Sequence, residues 1–450
     1  MNTIKSLKEY LTIIKLDFRN SKNKIGLKLF HIGILLLAAA PSISFLLLTI
    51  SSIFGSLRRR DNYFIDKYNI PFLFASILMI INCVLITIKA GFINNQEPYL
   101  AWIGILNWIP FFWCFWSFQI YLKNETLRIQ AAKYFLIGSV PVLLSGFTQY
   151  FLGWYGPYEI FNKLIIWYQR PLIDGAGVTG LFNNYNYSGA WLSIVLALVI
   201  GLFFIEANNK YLRSITFILI FAFIYMIFLT TSRNALLAVL ITLFLLIPYK
   251  KFKFLFISIF TALGVLMANL IPILPSNIQT TIFAFLPATL LEKTDFSSIS
   301  EFTSYPRIEL WLKSIKLIKS NLFMGYGGGS FSDLYYLNNG QFEGMQHSHN
   351  IVLEIAFNYG LPSSFLIIGG MLFITIKSTN RLVFNQNKKI LEIKNNLNKF
   401  DYAWIISFTI FLFLHMFDIT YFDGRISLLA WILLSGIRQI IRENKEYLFN

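Results

Sequence analysis

Cysteine is nearly missing from this chain: Cys83 and Cys114 are the only two in 450 residues, and both lie in apolar runs. That excludes a disulfide framework and any cysteine-based zinc spacing. Charge is scarce too. Asp, Glu, Lys and Arg make up 13% of the residues, against about 25% in ordinary soluble domains. Several catalytic signatures are also missing. The glycine-rich stretch Gly325-Tyr326-Gly327-Gly328-Gly329-Ser330 lacks the Gly-Lys-Ser/Thr of a phosphate-binding loop. It reads instead as flexible backbone that lets a loop fold over a substrate. No Asp-x-Asp pair falls on the outer side, which argues against a divalent-metal glycosyltransferase or phosphatase site, and there is no Gly-x-Ser-x-Gly elbow. The charged N-terminal stretch does not resemble a cleavable signal.

What the chain has in abundance is apolar sequence. Hydrophobic residues reach 56% and aromatics 18%, and the mean hydropathy is +0.60. A membrane-crossing helix needs about 17–25 apolar residues. The candidate spans are 70–89, 99–121, 133–152, 186–205, 214–231, 234–249, 254–271, 351–376, 402–420 and 424–441. The run 27–56 is too long for one straight span and is broken at Ala40-Pro41-Ser42, as proline breaks a helix. Loop charge decides how it crosses. With 27–56 as a tight pair of helices, one side holds 28 of the 38 Lys/Arg residues, a net +18, and the other side a net −2. The basic side is cytoplasmic by the positive-inside rule. The expectation is an all-α polytopic membrane protein of about twelve helices with both termini inside. The net charge of +16 is then a topology signal, and no nucleic-acid partner is expected.

The expected organisation is a cytoplasmic segment 1–26, helices one to nine over 27–271 with an outer loop 153–185, a large outer loop 272–349, helices ten to twelve over 350–441, and a cytoplasmic tail 442–450. The long loop carries aromatic and aliphatic residues throughout, so it is functional rather than disordered. In it Ile308, Trp311, Leu312, Ile315 and Ile318 recur at helical spacing, with Glu309, Lys313 and Lys316 on other faces. An amphipathic helix lying on the membrane or capping the spans is expected there.

Of four histidines, His31 and His415 sit in apolar runs and read as packed core residues. His347 and His349 stand in Gln346-His347-Ser348-His349-Asn350, at the outer mouth of the tenth span. Histidine titrates near neutral pH and suits a general base or a phosphate contact; the bland alternative is a solvated pair or a weak metal site. Arg233 sits in a short outer turn, and Arg170 and Arg307 in the two outer loops. An arginine at membrane depth tends to face a cavity or a partner, and its planar fork suits phosphate oxygens. Charged residues inside spans are few, notably Glu354 and Asp418, which counts against a proton-coupled transporter.

Together these segments resemble the O-antigen ligase and O-antigen polymerase superfamily of bacterial inner-membrane proteins. Gly180-Leu181-Phe182-Asn183-Asn184-Tyr185-Asn186 is similar to a family Gly-x-Phe-x-Asn-Pro-Asn segment, with Tyr185 where proline is usual. Thr231-Ser232-Arg233-Asn234-Ala235 is similar to its Ser-Arg-x-Ala segment. Arg307 to Trp311, Gly325-Tyr326-Gly327, His347 to Asn350 and Tyr359-Gly360 resemble its signature loop and the helix after it. Phe417-Asp418 with Asp423 resembles its closing outer turn. The resemblance spans about 170–425, and the first 150 residues share only hydropathy with the family.

The resemblance implies a metal-independent, inverting glycosyltransferase of the GT-C type that needs no cofactor. Its donor would be a glycan on undecaprenyl pyrophosphate, its acceptor a hydroxyl of a glycan or lipid A core, and membrane lipid its surroundings. His349, with His347 in support, would be the base; Arg233, Arg170, Arg307, Asn184, Asn186 and Asp418 would bind substrate. The competing reading is a transporter of a small anion such as bicarbonate, for which the special residues would lie at mid-membrane rather than at the mouth.

The topology is tested by labelling single cysteines in a chain freed of native thiols. Position 62 should be protected from an impermeant outside reagent, and a cysteine near 340 labelled. Labelling of both rejects the paired-helix reading of 27–56.

Overall fold

In the computed structural model the described residues are 24–59, 62–90, 98–172, 176–205, 209–247, 306–342, 344–385 and 398–449. The helices are α1 (Lys24–Leu36), α2 (Pro41–Arg58), α3 (Ile70–Ala90), α4 (Pro98–Ile105), α5 (Ile109–Ser117), α6 (Glu125–Leu152), α7 (Tyr185–Ile205), α8 (Lys210–Leu229), α9 (Arg233–Leu246), α10 (Pro306–Ser320), α11 (Phe331–Leu337), α12 (Ile351–Asn385), α13 (Asn398–Leu414) and α14 (Gly424–Phe449). Strands β1 (Tyr158–Ile160) and β2 (Ile165–Trp167) form one antiparallel hairpin in the loop after α6. Eight stretches are long and apolar enough to cross a membrane, and three shorter apolar helices accompany them among the described residues. The chain is an all-α polytopic membrane protein. The expected span 254–271 lies outside the described residues.

The run 27–56 is two helices. Pro41 opens α2 at a position where its missing N–H is no loss. Ser44 Oγ donates to the Gly33 carbonyl (2.7 Å) and Ser51 Oγ to the Gly26 carbonyl (2.9 Å). In lipid, apolar burial does not drive helices together, so close backbones and serine hydrogen bonds hold them. The same logic governs α7, whose residues Ser188 to Leu202 are all buried; a helix apolar all round belongs at the centre. Ser407 Oγ of α13 donates to the Ile194 carbonyl (2.7 Å), and the Trp191 indole donates to Ser139 Oγ of α6 (2.9 Å).

Two expectations are corrected. The glycine-rich segment 325–329 is a packing element. Helix α12 kinks at Gly360 (φ 83°), just before Pro362, and the kink strands backbone groups inside the protein. Tyr326 N–H donates to the Phe357 carbonyl, Gly327 N–H to Asn358 and Leu361 N–H to Leu322, each at 2.8 Å. Broken helices at membrane depth persist only when their freed groups are taken up in this way. A Cβ at Gly325 would lie 2.6 Å from Gly360 N, so the approach demands glycine. The stripe on α10 is also rotated. Its buried side is Glu309, Leu310, Ser314, Leu317 and Ile318, packed against Phe331, Tyr335 and Phe357, while Leu312 and Ile315 point outward. Glu309 is buried because its Oε1 accepts the Gln341 N–H (3.1 Å).

At the end of the bundle away from the outer loops, Arg128 is fully buried. Its Nε and Nη2 grip Asp401 (both 2.7 Å), Nη2 also reaches Glu443 (2.7 Å), and Nη1 donates to the Leu122 carbonyl (3.0 Å). Removing one partner from a buried pair costs about 3–5 kcal/mol, because the other charge stays behind. Arg128→Ala should therefore sharply lower the melting temperature in detergent. The double variant with Asp401→Ala should lose less than the two single losses added together; simple additivity refutes the coupling.

Candidate active site

The site is assembled on the last carbonyls of α13. A helix C-terminus leaves its final carbonyls without intrahelical donors, and here three neighbours supply them. Asn234 Nδ2 donates to Leu414 O (2.8 Å), Ile351 N–H to His415 O (2.9 Å) and Asn350 Nδ2 to Met416 O (3.0 Å). Asn234 follows Arg233, and Asn350 follows His349. The starts of α9 and α12 are thus pinned to one helix end.

Asn350 also caps α12, its Oδ1 accepting the N–H groups of Val352 (3.0 Å) and Leu353 (3.1 Å). Buried Glu354 holds the preceding loop: one oxygen accepts Ser348 N–H and the other Asn358 Nδ2, each at 2.9 Å. Between these anchors His349 adopts a left-handed backbone (φ 53°). Its Nδ1 lies 2.8 Å from Asp418 Oδ1, which also accepts the Ile419 N–H (2.9 Å). A carboxylate only accepts, so the shared proton sits on Nδ1, and Nε2 is the ring nitrogen left facing away from Asp418. The His349 side chain is 25% exposed and that of Asp418 9%.

Burial alone pushes the Asp418 carboxyl up, but the His349 hydrogen bond and the charges of His349, Arg307 and His347 outweigh it and hold it below its ordinary value. Arg307, the second residue of α10, thereby joins the cluster electrostatically. The ring of His347 stands edge-on to His349, 4.3 Å between centroids. Burial first, then the neighbouring His349, lowers its pKa from 6.5 to about 4. Its buried Nδ1 has no partner among the described residues. His347 is neutral at pH 7.

Arg170 and Asn184 belong to a neighbouring loop. Arg170 Nε donates to Asn183 O (3.1 Å), its N–H donates to Thr179 Oγ1 (3.0 Å), and Asn184 Oδ1 accepts the Asn186 N–H (2.7 Å) as α7 begins. These residues bond within their own loop rather than to the dyad. Val178 N–H donates to Leu229 O (3.0 Å), seating that loop against the turn before Arg233. Arg233 itself is exposed at the first position of α9. His415 is structural, its two ring nitrogens meeting Phe411 O (2.7 Å) and Thr420 Oγ1 (3.0 Å). His31 stacks on Tyr134 (4.5 Å between centroids).

Sequence reasoning missed a clamp between the Leu181–Phe182 loop and the turn after α13. Arg425 grips Asp423 through Nε (2.8 Å) and Nη2 (2.5 Å), reaches Leu181 O (3.4 Å), and lies 3.8 Å from the Phe182 ring centroid. The visible signal was an arginine two residues after Asp423 in a turn otherwise poor in cations. Among the described residues no three His, Cys, Asp or Glu side chains converge as a metal site.

Because His347 titrates below its ordinary value, the unfolded chain binds the extra proton between about pH 6.5 and 4. Stability should therefore fall as pH drops through that window, and His347→Gln should flatten the fall. An unchanged pH profile of melting temperature for His347→Gln refutes the assignment.

Residues 217–368 match a family model described as O-antigen ligase. The match includes Arg233, Arg307, His347 and His349, begins after Arg170 and Asn184, and ends before Asp418. No curated protein matches the chain in sequence.

Proposed function

With an O-antigen ligase domain at residues 217–368 as premise, we propose that this chain transfers or polymerises a glycan from undecaprenyl pyrophosphate onto an acceptor hydroxyl, at the outer face of a bacterial inner membrane. The match itself supports glycan transfer of the ligase or polymerase type in general; donor, sidedness and mechanism are our reading. The observation that carries it is the His349–Asp418 pair, 2.8 Å apart, at the helix ends. His349 precedes α12, Asp418 follows α13, Arg233 opens α9 and Asn184 precedes α7. Residues gathered at helix ends favour surface chemistry over transport of a small anion through the middle of the bundle.

In this mechanism Asp418 holds the imidazole so that Nε2 faces the acceptor. Nε2 takes the hydroxyl proton as the acceptor oxygen attacks the anomeric carbon from the side opposite the leaving group. The new C–O bond forms as the bond to the pyrophosphate oxygen breaks, inverting the anomeric centre and leaving undecaprenyl pyrophosphate. Arg233, Arg170 and Arg307 neutralise the departing charge, the work a metal does elsewhere. The lipid chain lies along the exposed apolar helix faces. Asn186 completes the sugar contacts of the Asn184 turn.

The assay uses purified protein in detergent, with lipid-linked glycan and acceptor lipid extracted from a strain lacking the gene. His349→Ala should lower transfer by about 10²–10⁴-fold, the range of a general base. Arg233→Lys, which keeps charge but loses the fork, should also fall substantially. EDTA should leave the rate unchanged. Normal transfer by His349→Ala, or loss in EDTA restored by Mg²⁺ or Mn²⁺, overturns the mechanism.

A further inference from the structure

On the basic side of the bundle, cytoplasmic by the positive-inside rule, three helices meet around one tyrosine. Tyr68 lies in the turn that leads into α3 and is 3% exposed. Arg438 of α14 covers its ring, with Cζ 3.9 Å from the centroid. The ammonium groups of Lys67 and of Lys377 on α12 stand 5.6 and 5.7 Å from the same centroid. Arg381, one turn beyond Lys377, donates through Nη1 to the Ile441 carbonyl and ties α12 to α14 here.

A loop-charge bias needs only scattered cations, but these three converge on a single buried ring. Cations gathered this closely repel one another, and an aromatic face returns only about 0.5–2 kcal/mol to each. Asp66 is the one carboxylate paired with them. Its oxygens lie 3.3 and 3.5 Å from Arg438 Nη2, looser than the 2.7 Å grip of Asp401 on Arg128, and Oδ1 also accepts the Tyr68 N–H (3.1 Å). One carboxylate against three cations leaves the junction positive. Two buried donors are left over as well. The Tyr68 hydroxyl and Arg438 Nε are sealed from solvent and have no hydrogen-bond partner among the described residues. An unsatisfied buried donor costs about 1–3 kcal/mol, so each such group calls for an explanation. Spare positive charge and spare donors at one place call for an anionic acceptor.

We propose that this junction binds the phosphate of an anionic phospholipid from the adjoining leaflet. Lys67, Lys377 and Arg438 answer its charge, and the Tyr68 hydroxyl donates to one of its oxygens. Basic pockets between helices on this side of a membrane suit such headgroups. A lipid is favoured over a free phosphate because exposed apolar side chains flank the cations: Phe373 and Ile376 precede Lys377 on α12, and Phe74 lies one turn into α3. The acyl chains run along these side chains. Bound there, the lipid joins α3, α12 and α14 at the end opposite His349. The inference does not depend on the transfer reading.

The test is a lipid titration of the full-length protein in neutral maltoside detergent, followed by melting temperature. A ligand that binds only the folded state raises that temperature with its occupancy. Phosphatidylglycerol should raise it saturably, phosphatidylcholine, neutral overall, much less, and inorganic phosphate not at all. Lys377→Gln should raise the apparent Kd for phosphatidylglycerol about tenfold or more, as expected for a bond to a charged group. Tyr68→Phe keeps the ring, loses only the hydroxyl, and should raise the Kd about fivefold. Lys210→Gln, at the start of α8 on the same basic side, should leave it unchanged. Equal weakening in Lys210→Gln reveals a general attraction to the basic side and overturns the site. Wild-type affinity in both Lys377→Gln and Tyr68→Phe does the same. A shift with inorganic phosphate as large as that with phosphatidylglycerol overturns the lipid as occupant. No saturable shift of the wild type with phosphatidylglycerol overturns the proposal outright.

Discussion

The carbonyls at and just after the end of α13 are the constraint on which the site depends. A helix that stops in a low-dielectric setting must have its last acceptors satisfied. The His415 and Met416 carbonyls are satisfied by Ile351 and Asn350, and Leu414 O, which also accepts the Phe417 and Asp418 N–H groups, takes a further bond from Asn234. These donors come from two helix starts remote in sequence. One backbone requirement thus sets Arg233 and His349 about a common point and leaves Asp418, four residues beyond Leu414, within 2.8 Å of the imidazole. The left-handed backbone of His349 is strain of the kind held in place by its surroundings. Here the surroundings are Glu354 on Ser348 and the Asn350 cap.

Buried arginine is neutralised by a carboxylate at both ends of the bundle. Arg128 is fully buried among Asp401, Glu443 and a carbonyl, and ties α6, α13 and α14 together. Arg425 and Asp423 form a similar fork-to-carboxylate pair, itself buried, that joins the Leu181–Phe182 loop to the turn after α13. At the His349–Asp418 pair the imidazole is only partly covered, being 25% exposed. The closed arginine pairs suit architecture, and the partly exposed His349–Asp418 pair suits a substrate that must enter and leave.

The kink at Gly360 shows why motif residues resist a single interpretation. Glycines at 325–329 look alike to loop flexibility and to close packing, because both need a missing Cβ. Backbone hydrogen bonds from Tyr326, Gly327 and Leu361 decide for packing. On α10 the repeating apolar positions define more than one stripe, and the covered one is chosen by where Phe331, Tyr335 and Phe357 lie.

Hydropathy and loop charge were enough to determine a polytopic helical protein, the break at Pro41, and the polar residues worth attention, since span length and basic-loop bias are local properties that any window of the chain records. The pairing of His349 with Asp418 was not legible, as 69 residues separate them and neither position implies the other. The same holds for Arg425 over Phe182 and for Arg128 on Asp401. Those contacts depend on which helix ends share a neighbour. That is decided only when backbone groups with no water to bind must find their partners in the folded chain.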